Sequence, residues 1–600
     1  MNNRLPAVPE IGTNGFSEAH RRDRRAALPA LAAILASAAF LASCRPETRE
    51  YADLVLQNGK VYTLDESLPK AEALAIKDGK IIYVGRTAGL ARFMGPSTRH
   101  IDIGGRLALP GFIDSHCHPS GAVEQFFAAS LFGLNSVREY QDAVRRFVEA
   151  HPGVKVVRGS GWKNTLFPVQ GPHKVALDEI APGIPVALSS EDGHSTWVNS
   201  KTLELAGITR ATRDPPGGVI ERDAKTGEPS GTLRETAADL IDEVIPEYTT
   251  DELVQGIEAY QTMALRLGIT AAHDASISAG GADLKAYEAM EKAGRLRMRF
   301  RASLYVDPDK GVAQVKELVA ERDAHTGPYF QTRAAKIFVD GVVEGVTAYL
   351  KEPYQHRPGF RGAPLWTADA LGAACTALDR DGFQLHFHAI GDAAAAMALD
   401  AIAHAAAANG RRDARPLITH LQLVSPADVL RFRDLRAIAV PQPFWFMKDD
   451  YYTNLQVPFL GLPRADEEYP MESFFKAGVA VASASDYPVT IPCDPLMGIQ
   501  TGITRARAGA NRAEDVLWPA ERATLDQMIR SFTINGAYAN FLEKETGSIE
   551  VGKWADLVVL DKNLFEIPAT EIGSARVLLT FFECRVAYQD ASFSRSVTDD

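Results

Sequence analysis

The chain has 600 residues, a formal net charge of −12 at pH 7, and an ordinary globular composition with 46% hydrophobic and 23% charged residues. A β/α barrel alone uses roughly 250 residues, so this length predicts a barrel together with something smaller. The acidic balance, with no block rich in lysine and arginine after the first 25 residues, argues against a nucleic-acid partner. Five scattered cysteines in no C-x-x-C spacing argue against a disulfide framework and a purely cysteine-based zinc site.

The first fifty residues have the pattern of an export signal followed by a linker. A basic segment, HRRDRRAAL, leads into the apolar run PALAAILASAAFLASC, which ends at Cys44. The terminal LASC resembles the bacterial lipobox, in which cleavage precedes the cysteine and its sulfur is acylated. The alternative is a transmembrane anchor, but the run is short for the roughly 20 residues that span a bilayer. We expect a signal peptide over 1–43, a linker over 44–50, and an exported periplasmic or cell-envelope lipoprotein held to the membrane through Cys44.

Short strand patterns separated by tight turns follow the linker. The segments DLVLQNGKVYTL and ALAIKDGKIIYVG contain Asn-Gly and Asp-Gly turns between alternating apolar residues, a strong hairpin signal. These residues are too few to bury both faces of a sheet. Matching patterns at the other end of the chain, GSIEVGKWADLVVLD and RVLLTFFECRVAYQD, supply the missing strands. The sequence therefore predicts one small β-sandwich built from both chain ends, over 51–108 and 545–590.

The central segment, 109–544, alternates short apolar β-rich runs with helical patterns, which indicates a parallel α/β architecture. Helix starts are well marked; Thr524 and Gln527, for example, have the spacing of a capping box. Ten strands are predicted, two more than a (β/α)8 TIM-like barrel holds. The two at 154–158 and 185–190 lie in a region rich in glycine and proline that looks like hairpins. We assign them to an inserted module at about 150–245, after barrel strand one. The remaining eight predicted strands are 112–118, 269–274, 297–305, 333–339, 383–388, 416–421, 437–441 and 479–485.

The segment GFIDSHCHPSG places two histidines on either side of a cysteine at the end of the first predicted barrel strand. Side chains alternate along a strand, so His116 and His118 share one face while Cys117 points the other way. This geometry excludes a Cys/His nucleophile pair, which needs both side chains within hydrogen-bond reach. Two adjacent imidazoles can hold a divalent ion or form a buried hydrogen-bonded pair, and these residues alone leave both open.

Polar residues also occur near the carboxyl ends of later predicted strands, where barrel active sites lie. In chain order with His116 and His118, they are Lys336 in AAKIFVDG, His388 in LHFHAIGD, His420 in LITHLQ and Asp486 in ASASDYP. The pattern resembles the amidohydrolase superfamily, which has H-x-H on strand one, a lysine on strand four, histidines on strands five and six, and an aspartate on strand eight. Seven segments, PGFIDSHCHP, EDGHSTWVNS, GGVIERD, KIFVDG, HAIGD, SDYPV and GKWADLVVLD, resemble amidohydrolase family 3, the branch that includes N-substituted formamide deformylases.

The resemblance implies a metal site with one or two divalent ions, expected to be zinc. His116 and His118 would hold one ion, and His388 and His420 a second. It also implies that Lys336 is carboxylated and bridges the metals, because an ammonium cannot ligate a cation. Asp486 would ligate a metal and act as the catalytic base for a metal-bound hydroxide.

Several residues have two interpretations. Lys336 could instead form a buried salt bridge with Asp340 or Glu344. His386 shares a face with His388, which we prefer as the ligand because it lies nearer the strand's carboxyl end.

The inserted module supplies Trp162, His194 and Trp197 as candidate substrate-binding residues, although packing within the module explains them equally well. His273 also ends a predicted barrel strand, and we interpret it as a core or supporting histidine.

The sequence therefore predicts a metal-dependent hydrolase that cleaves an amide-type, non-peptide C–N bond in a small N-acyl or N-formyl substrate. An esterase or lactonase could use the same site, because the chemistry recognises a carbonyl more than its leaving group. A non-catalytic substrate-binding lipoprotein is a further alternative, although a binding module would not need the complete ligand set. The substrate's identity and the oligomeric state, including a homo-oligomer, are left open.

Overall fold

The computed structural model describes residues 50–510 and 512–593. The predicted signal peptide, Cys44 and almost all of the linker therefore lie outside the described residues. Within the described ranges, no helix combines the length and the apolar character needed to cross a membrane.

A parallel sheet of seven strands forms the centre of the fold and curves into a nearly closed barrel. Helices connect its strands, because parallel neighbours need a crossover of a dozen or more residues. We number the barrel strands one to seven in chain order: Phe112–Cys117, Ile269–Ile277, Arg299–Tyr305, Phe330–Phe338, Gln384–Ala389, Leu417–His420 and Ile438–Val440.

The eighth predicted strand, 479–485, is not a regular strand, although it occupies the eighth position. Ala439 exchanges backbone hydrogen bonds with Ala480 and Ala482 on the side of strand seven. On the side of strand one, Ser115 donates its backbone N–H to Ser483, and Asp486 donates to His116. We call residues 480–486 the closing segment. The prediction of a TIM-like barrel is confirmed, but the expected eighth strand is wrong, because these bonds are too irregular to form a ladder.

Helices surround the barrel, and some begin at the capping signals that the sequence carries. Thr524 and Gln527 form the predicted capping box at the start of Leu525–Ser531. The side chain of Thr367 accepts the backbone N–H of Ala370 at the start of its helix. The principal helices are Thr250–Arg266, Ala282–Lys292, Val315–Ala324, Ala368–Arg380, Asp392–Asn409, Pro426–Leu435, Pro495–Thr504, Leu525–Ser531 and Ile534–Ala539.

Two further sheets are built from the ends of the described chain. A four-stranded sheet has the order Lys80–Gly85, Ala73–Lys77, Leu54–Gln57, Arg99–Asp102. A six-stranded sheet combines both ends in the order Arg585–Gln589, Val577–Phe582, Leu557–Leu560, Leu107–Pro110, Lys60–Tyr62, Lys70–Ala71. Side chains of both sheets share one buried apolar cluster. The early strands therefore gain their missing partners from residues more than 400 positions later in the sequence.

The module between barrel strands one and two has its own six-stranded sheet and its own core. The sheet order is Val219–Arg222, Pro229–Arg234, Ser195–Val198, Val186–Ser190, Val157–Trp162, Ala129–Ser130. The helix Val137–Ala150 packs on it. Val157–Trp162 and Val186–Ser190 pair in parallel, so a hairpin is the wrong interpretation for these two strands. The stretch rich in glycine and proline instead forms the turn between the antiparallel strands Val219–Arg222 and Pro229–Arg234.

A buried ion pair joins barrel strand three to the six-stranded sheet that is built from both chain ends. The guanidinium of Arg299, which is 1% exposed, donates to the fully buried carboxylate of Asp556 and also to Glu583. Changing Asp556 to Asn is expected to lower the free energy of unfolding by about 3–5 kcal/mol, because the Arg299 cation is left partly uncompensated in the interior.

Denaturant unfolding followed by circular dichroism measures this loss. Glu566→Gln is the matched control, because it removes an exposed ion pair with Lys60 and should leave the free energy of unfolding close to that of the wild type. Equal losses in the two variants would contradict the importance of burial at Asp556.

Candidate active site

The carboxyl ends of the barrel strands surround a cavity of about 460 Å³. All six predicted ligand residues line it, namely His116, His118, Lys336, His388, His420 and Asp486. They come from barrel strands one, four, five and six and from the closing segment, with His118 directly after strand one. Parallel strands place their carboxyl ends at one rim of the barrel, which is why residues so far apart in sequence meet here.

Three of these side chains converge tightly. The Nε2 atoms of His116 and His118 lie 3.4 Å and 3.3 Å from the same carboxylate oxygen, Oδ1 of Asp486. Among the described residues, these three form the group of histidine, cysteine or acidic side chains whose ligand atoms all lie within 4.8 Å of one another. Donors about 2.0–2.2 Å from a tetrahedral zinc ion are roughly 3.3 Å apart, so the observed spacing fits such an ion.

Lys336 lies in the floor of the same cavity and is 1% exposed. Its Nζ is 3.3 Å from Nε2 of His116, and the described residues place no carboxylate within ion-pair distance of it. The alternative of a salt bridge with Asp340 or Glu344 is therefore wrong. Asp340 instead accepts the backbone N–H groups of Ile390 and Gly391. Burial lowers the pKa of Lys336 to about 7, so a large fraction of its amine is neutral at physiological pH.

His388 and His420 lie next to the three converging side chains, with their ring centroids 4.4 Å apart. Nδ1 of His420 is 4.0 Å from Oδ2 of Asp486 and 3.2 Å from Oε1 of Gln442. Nε2 of His388 lies 3.2 Å from the carbonyl oxygen of Gly341. The structure thus brings His388 and His420 to the cavity, beside the converging group of His116, His118 and Asp486.

The backbone at two of these positions has an uncommon conformation. His420 has φ of 75° and Asp486 has φ of 59°, in the left-handed region that non-glycine residues rarely adopt. Such strain persists where the surrounding structure fixes it, and it concentrates at functional sites. Asp114, two residues before His116, accepts hydrogen bonds from the backbone N–H and the hydroxyl of Ser485. Asp114 therefore ties strand one to the closing segment.

Asp486 is the acidic member of the site and is buried. Burial on its own would raise the pKa of its carboxyl, but the hydrogen bond with His118 and the electrostatic influence of His420, His118 and Lys336 outweigh burial and lower that pKa below the ordinary value. Asp486 therefore carries a negative charge at neutral pH, as a metal ligand and proton acceptor must.

His194 reaches the cavity from the inserted module. Its ring centroid is 5.2 Å from that of His388, and its Nδ1 is 2.8 Å from Oε2 of Glu235. The other oxygen of Glu235 accepts the hydroxyl of Thr347 at 2.6 Å. Burial would lower the pKa of His194, but the negative charge and hydrogen bond of Glu235 raise it to about 9. His194 is therefore positioned to donate a hydrogen bond into the cavity.

The two tryptophans predicted to bind substrate do not line this cavity. Trp162 and Trp197 are fully buried in the core of the inserted module. Their indole N–H groups donate to the backbone carbonyls of Leu188 and His173. Assigning them to substrate binding is wrong, because their polar atoms are already satisfied inside the module. Cys117 points toward the surrounding helices, as expected, and its sulfur contacts the hydroxyl of Tyr260.

A second cavity of about 180 Å³ shares His194, His388, His420 and Asp486 with the first. Its walls are aromatic and acidic, formed by Trp445, Tyr451, Tyr469, Glu191, Asp192, Glu344 and Asp449. Glu344 was considered only as an ion-pair partner of Lys336, and Glu191 and Asp192 lie in the segment EDGHSTWVNS. None of these residues was predicted to line a cavity, and neither was Glu235. Each is a single polar or aromatic residue in a loop or after a strand, and no motif spacing distinguishes such a residue from an ordinary surface position.

Comparisons with known proteins agree with this geometry. A family profile described as the amidohydrolase family matches residues 99–588. The protein LONG AFTER FAR-RED 3 of Arabidopsis thaliana is 32% identical over 553 residues, covering 90% of this chain and 92% of the plant protein. The N-substituted formamide deformylase of Arthrobacter pascens is 28% identical over 554 residues, covering 90% of this chain and 98% of its own.

Solved structures share the fold. An uncharacterised metal-dependent hydrolase from Pyrococcus furiosus superposes with a TM-score of 0.65 at 25% identity, covering 85% of this chain and 99% of its own. An atrazine chlorohydrolase from Arthrobacter aurescens, solved in complex with zinc, has a TM-score of 0.51 at 14% identity, covering 89% of this chain and 95% of its own.

Proposed function

Because this chain belongs to the amidohydrolase family and is a hydrolase of carbon–nitrogen bonds, we propose that it cleaves a non-peptide amide bond in a small N-acyl or N-formyl substrate with a bound divalent ion. The observation that carries the proposal is the convergence of His116, His118 and Asp486. Two imidazoles and a carboxylate suit zinc, and the cavity beside them leaves room for a substrate.

A divalent ion at this position would lower the pKa of water toward neutrality and polarise a carbonyl oxygen. His116 and His118 would hold the ion through Nε2, while Asp486 would share its carboxylate between the ion and the attacking water. Oδ2 of Asp486, the carboxylate oxygen that does not converge with the two imidazoles, would take a proton from that water as it adds to the substrate carbonyl. The same carboxylate would then return the proton to the leaving nitrogen as the C–N bond breaks.

The residues around the ion would orient the substrate. His194, held by Glu235, would donate a hydrogen bond to an oxygen of the substrate or of the tetrahedral intermediate. His388 and His420 line both cavities and are available for a second ion. Export and lipid attachment at Cys44 stay predictions.

A hydrolysis panel tests the proposal. Purified protein loaded with zinc would be given N-formyl and N-acyl derivatives of a series of amines, each beside an ester of the same acyl group and matched size. We expect turnover of the amides, detected as released amine. Hydrolysis of the esters alone would overturn the proposal in favour of an esterase or lactonase. Ligand-induced stabilisation with no turnover would favour a binding protein.

Carboxylation of Lys336 is a separate prediction about the same site. A neutral lysine amine can add to carbon dioxide, forming an N–C bond and losing one proton, and the resulting carbamate is an anion suited to contact a cation. We expect a crystal structure of the zinc-loaded protein, grown near pH 7 with bicarbonate, to show carboxylate density beyond Nζ of Lys336.

The matched control is Lys351, whose ammonium pairs with Asp428 at 2.6 Å and should stay unmodified. Electron density in the zinc-loaded crystal that ends at a bare amine on Lys336, or that shows only solvent beyond Nζ, would contradict the prediction.

A further inference from the structure

Beneath the ligands, the interior of the barrel is polar where branched apolar side chains would be expected. His116, His273, Ser303, His386, Thr419 and Asn540 are all at most 2% exposed. Barrel interiors are ordinarily filled by valine, isoleucine and leucine. Buried polar groups are costly unless every one finds a partner, so a connected set of this size needs a reason for being there.

The side chains form one continuous chain of hydrogen bonds leading from Asn540, directly after the helix Ile534–Ala539, to His116, the proposed metal ligand. Starting at Asn540, Oδ1 is 2.7 Å from Nδ1 of His273, whose Nε2 is 2.7 Å from Oγ of Ser303. Oγ of Ser303 is 2.8 Å from Nδ1 of His386. Nε2 of His386 is 2.8 Å from Nδ1 of His116. We call Asn540, His273, Ser303 and His386 the relay.

The direction of every bond in the relay is fixed at Asn540. Its side-chain Nδ2 donates at 2.9 Å to the carbonyl oxygen of Gly536, which can only accept. Oδ1 of Asn540 must therefore face His273 and accept its Nδ1–H. A neutral imidazole with a proton on Nδ1 has a lone pair on Nε2, so His273 accepts the single hydroxyl proton of Ser303.

The same reasoning continues to the ligand. With its only proton given to His273, Ser303 must accept from Nδ1–H of His386, which leaves Nε2 of His386 as an acceptor. Two lone pairs facing each other at 2.8 Å would repel, so Nδ1 of His116 carries the proton and donates it. The hydroxyl of Thr419, 3.0 Å from His386 and 3.2 Å from His116, can donate to the former and accept from the latter without changing this direction.

We propose that the relay of Asn540, His273, Ser303 and His386 sets the tautomer of His116, so that Nε2 presents a lone pair to the metal position before any ion arrives. Nε2 of His116 and Oδ1 of Asp486 are then both acceptors only 3.4 Å apart, an arrangement that a cation between them stabilises. The four relay residues act as positioning residues, since they act on the ion only through His116. The inference rests on the proposed function only in assigning His116 as a metal ligand.

Neutron diffraction from crystals exchanged into heavy water tests the tautomer directly, with and without removal of metal by a chelator. We expect deuterium on Nδ1 of His116, His386 and His273 in both forms, and none on Nε2 of His116. Deuterium on Nε2 of His116 in the metal-free form, with none on Nδ1, would overturn the proposal. This readout does not depend on activity, so a protein that fails the hydrolysis panel can still pass it.

Zinc affinity, measured by competition with a chromophoric chelator, tests the consequence. Ser303→Ala is expected to weaken zinc binding by about 10- to 100-fold, the loss typical of removing support for a ligating histidine. Ser303→Thr, which keeps the hydroxyl, should bind zinc more tightly than Ser303→Ala. Thr580→Val is the matched control, because it removes another fully buried hydroxyl, in the six-stranded sheet outside the relay, and should leave zinc affinity unchanged.

Wild-type affinity in Ser303→Ala, or an equal loss in Thr580→Val, would overturn the proposal. If the wild-type protein itself bound no zinc, the proposed function would fail, and the neutron result alone would decide the tautomer.

Discussion

Changing His116 and His118 together to Ala is expected to release the bound ion and to lower kcat/KM by about four orders of magnitude, roughly 5.5 kcal/mol of transition-state stabilisation. Both Nε2 atoms lie within 3.4 Å of Oδ1 of Asp486, so the double change removes two of the three donors that converge on one point. The remaining carboxylate alone would bind a divalent ion weakly and would lose the imidazole ligands that zinc prefers.

Elemental analysis of protein dialysed against zinc, together with kcat/KM on the best amide of the panel, measures both effects. The matched control is the double change of His151 and His173 to Ala, which removes two exposed histidines that do not line the cavity. Its metal content and kcat/KM should match wild type. Unchanged metal content in the variant of His116 and His118 would refute the proposed metal site.

Asp486→Asn is expected to lower kcat by about 10³-fold, within the range for losing a positioned general base. Asparagine has the shape of aspartate and tolerates the left-handed backbone conformation that this position requires, so the closing segment should keep its structure. An amide cannot take a proton from water. Because the substrate cavity itself is unchanged, the loss should appear in kcat more than in KM.

Asp494→Asn serves as the control for this substitution. Asp494 caps the helix Pro495–Thr504 by accepting the backbone N–H of Leu496, and asparagine can make the same bond. Its kcat should match wild type. A variant Asp486→Asn with wild-type kcat and normal zinc content would show that another group moves the proton, and His194 would be the first to examine.

Much of the candidate site could be predicted because the position of a residue along a barrel strand determines which rim of the barrel it reaches. His116, His118, Lys336, His388, His420 and Asp486 all follow short apolar runs, and a barrel of parallel strands brings the ends of those runs to one rim. A wrong eighth strand did not disturb this prediction, since the closing segment still hydrogen-bonds to strands one and seven. The family resemblance rested on these same positions and is confirmed over residues 99–588.

The inserted module was harder to predict. Trp162 and Trp197 looked like candidates for a substrate wall, yet both are packed inside the module with satisfied N–H groups. Sequence patterns give the residue types that a small domain needs, but a buried indole and a cavity-lining indole have the same local pattern. The neighbouring His194 does reach the cavity, held there by Glu235, whose position depends on a different strand.

The sequence alone determined which residues are the candidate metal ligands, because H-x-H and single polar residues after apolar strands identify these residues and their order along the chain. Only the tertiary structure decided how the barrel closes and which atoms face the proposed metal position. The bonds that do this join residues as far apart as Asp114 and Ser485, 371 positions along the chain. The relay from Asn540 to His116 also consists of hydrogen bonds between residues far apart in the chain. Its hydrogen-bond directions follow from three-dimensional packing, and no local pattern of residues encodes them.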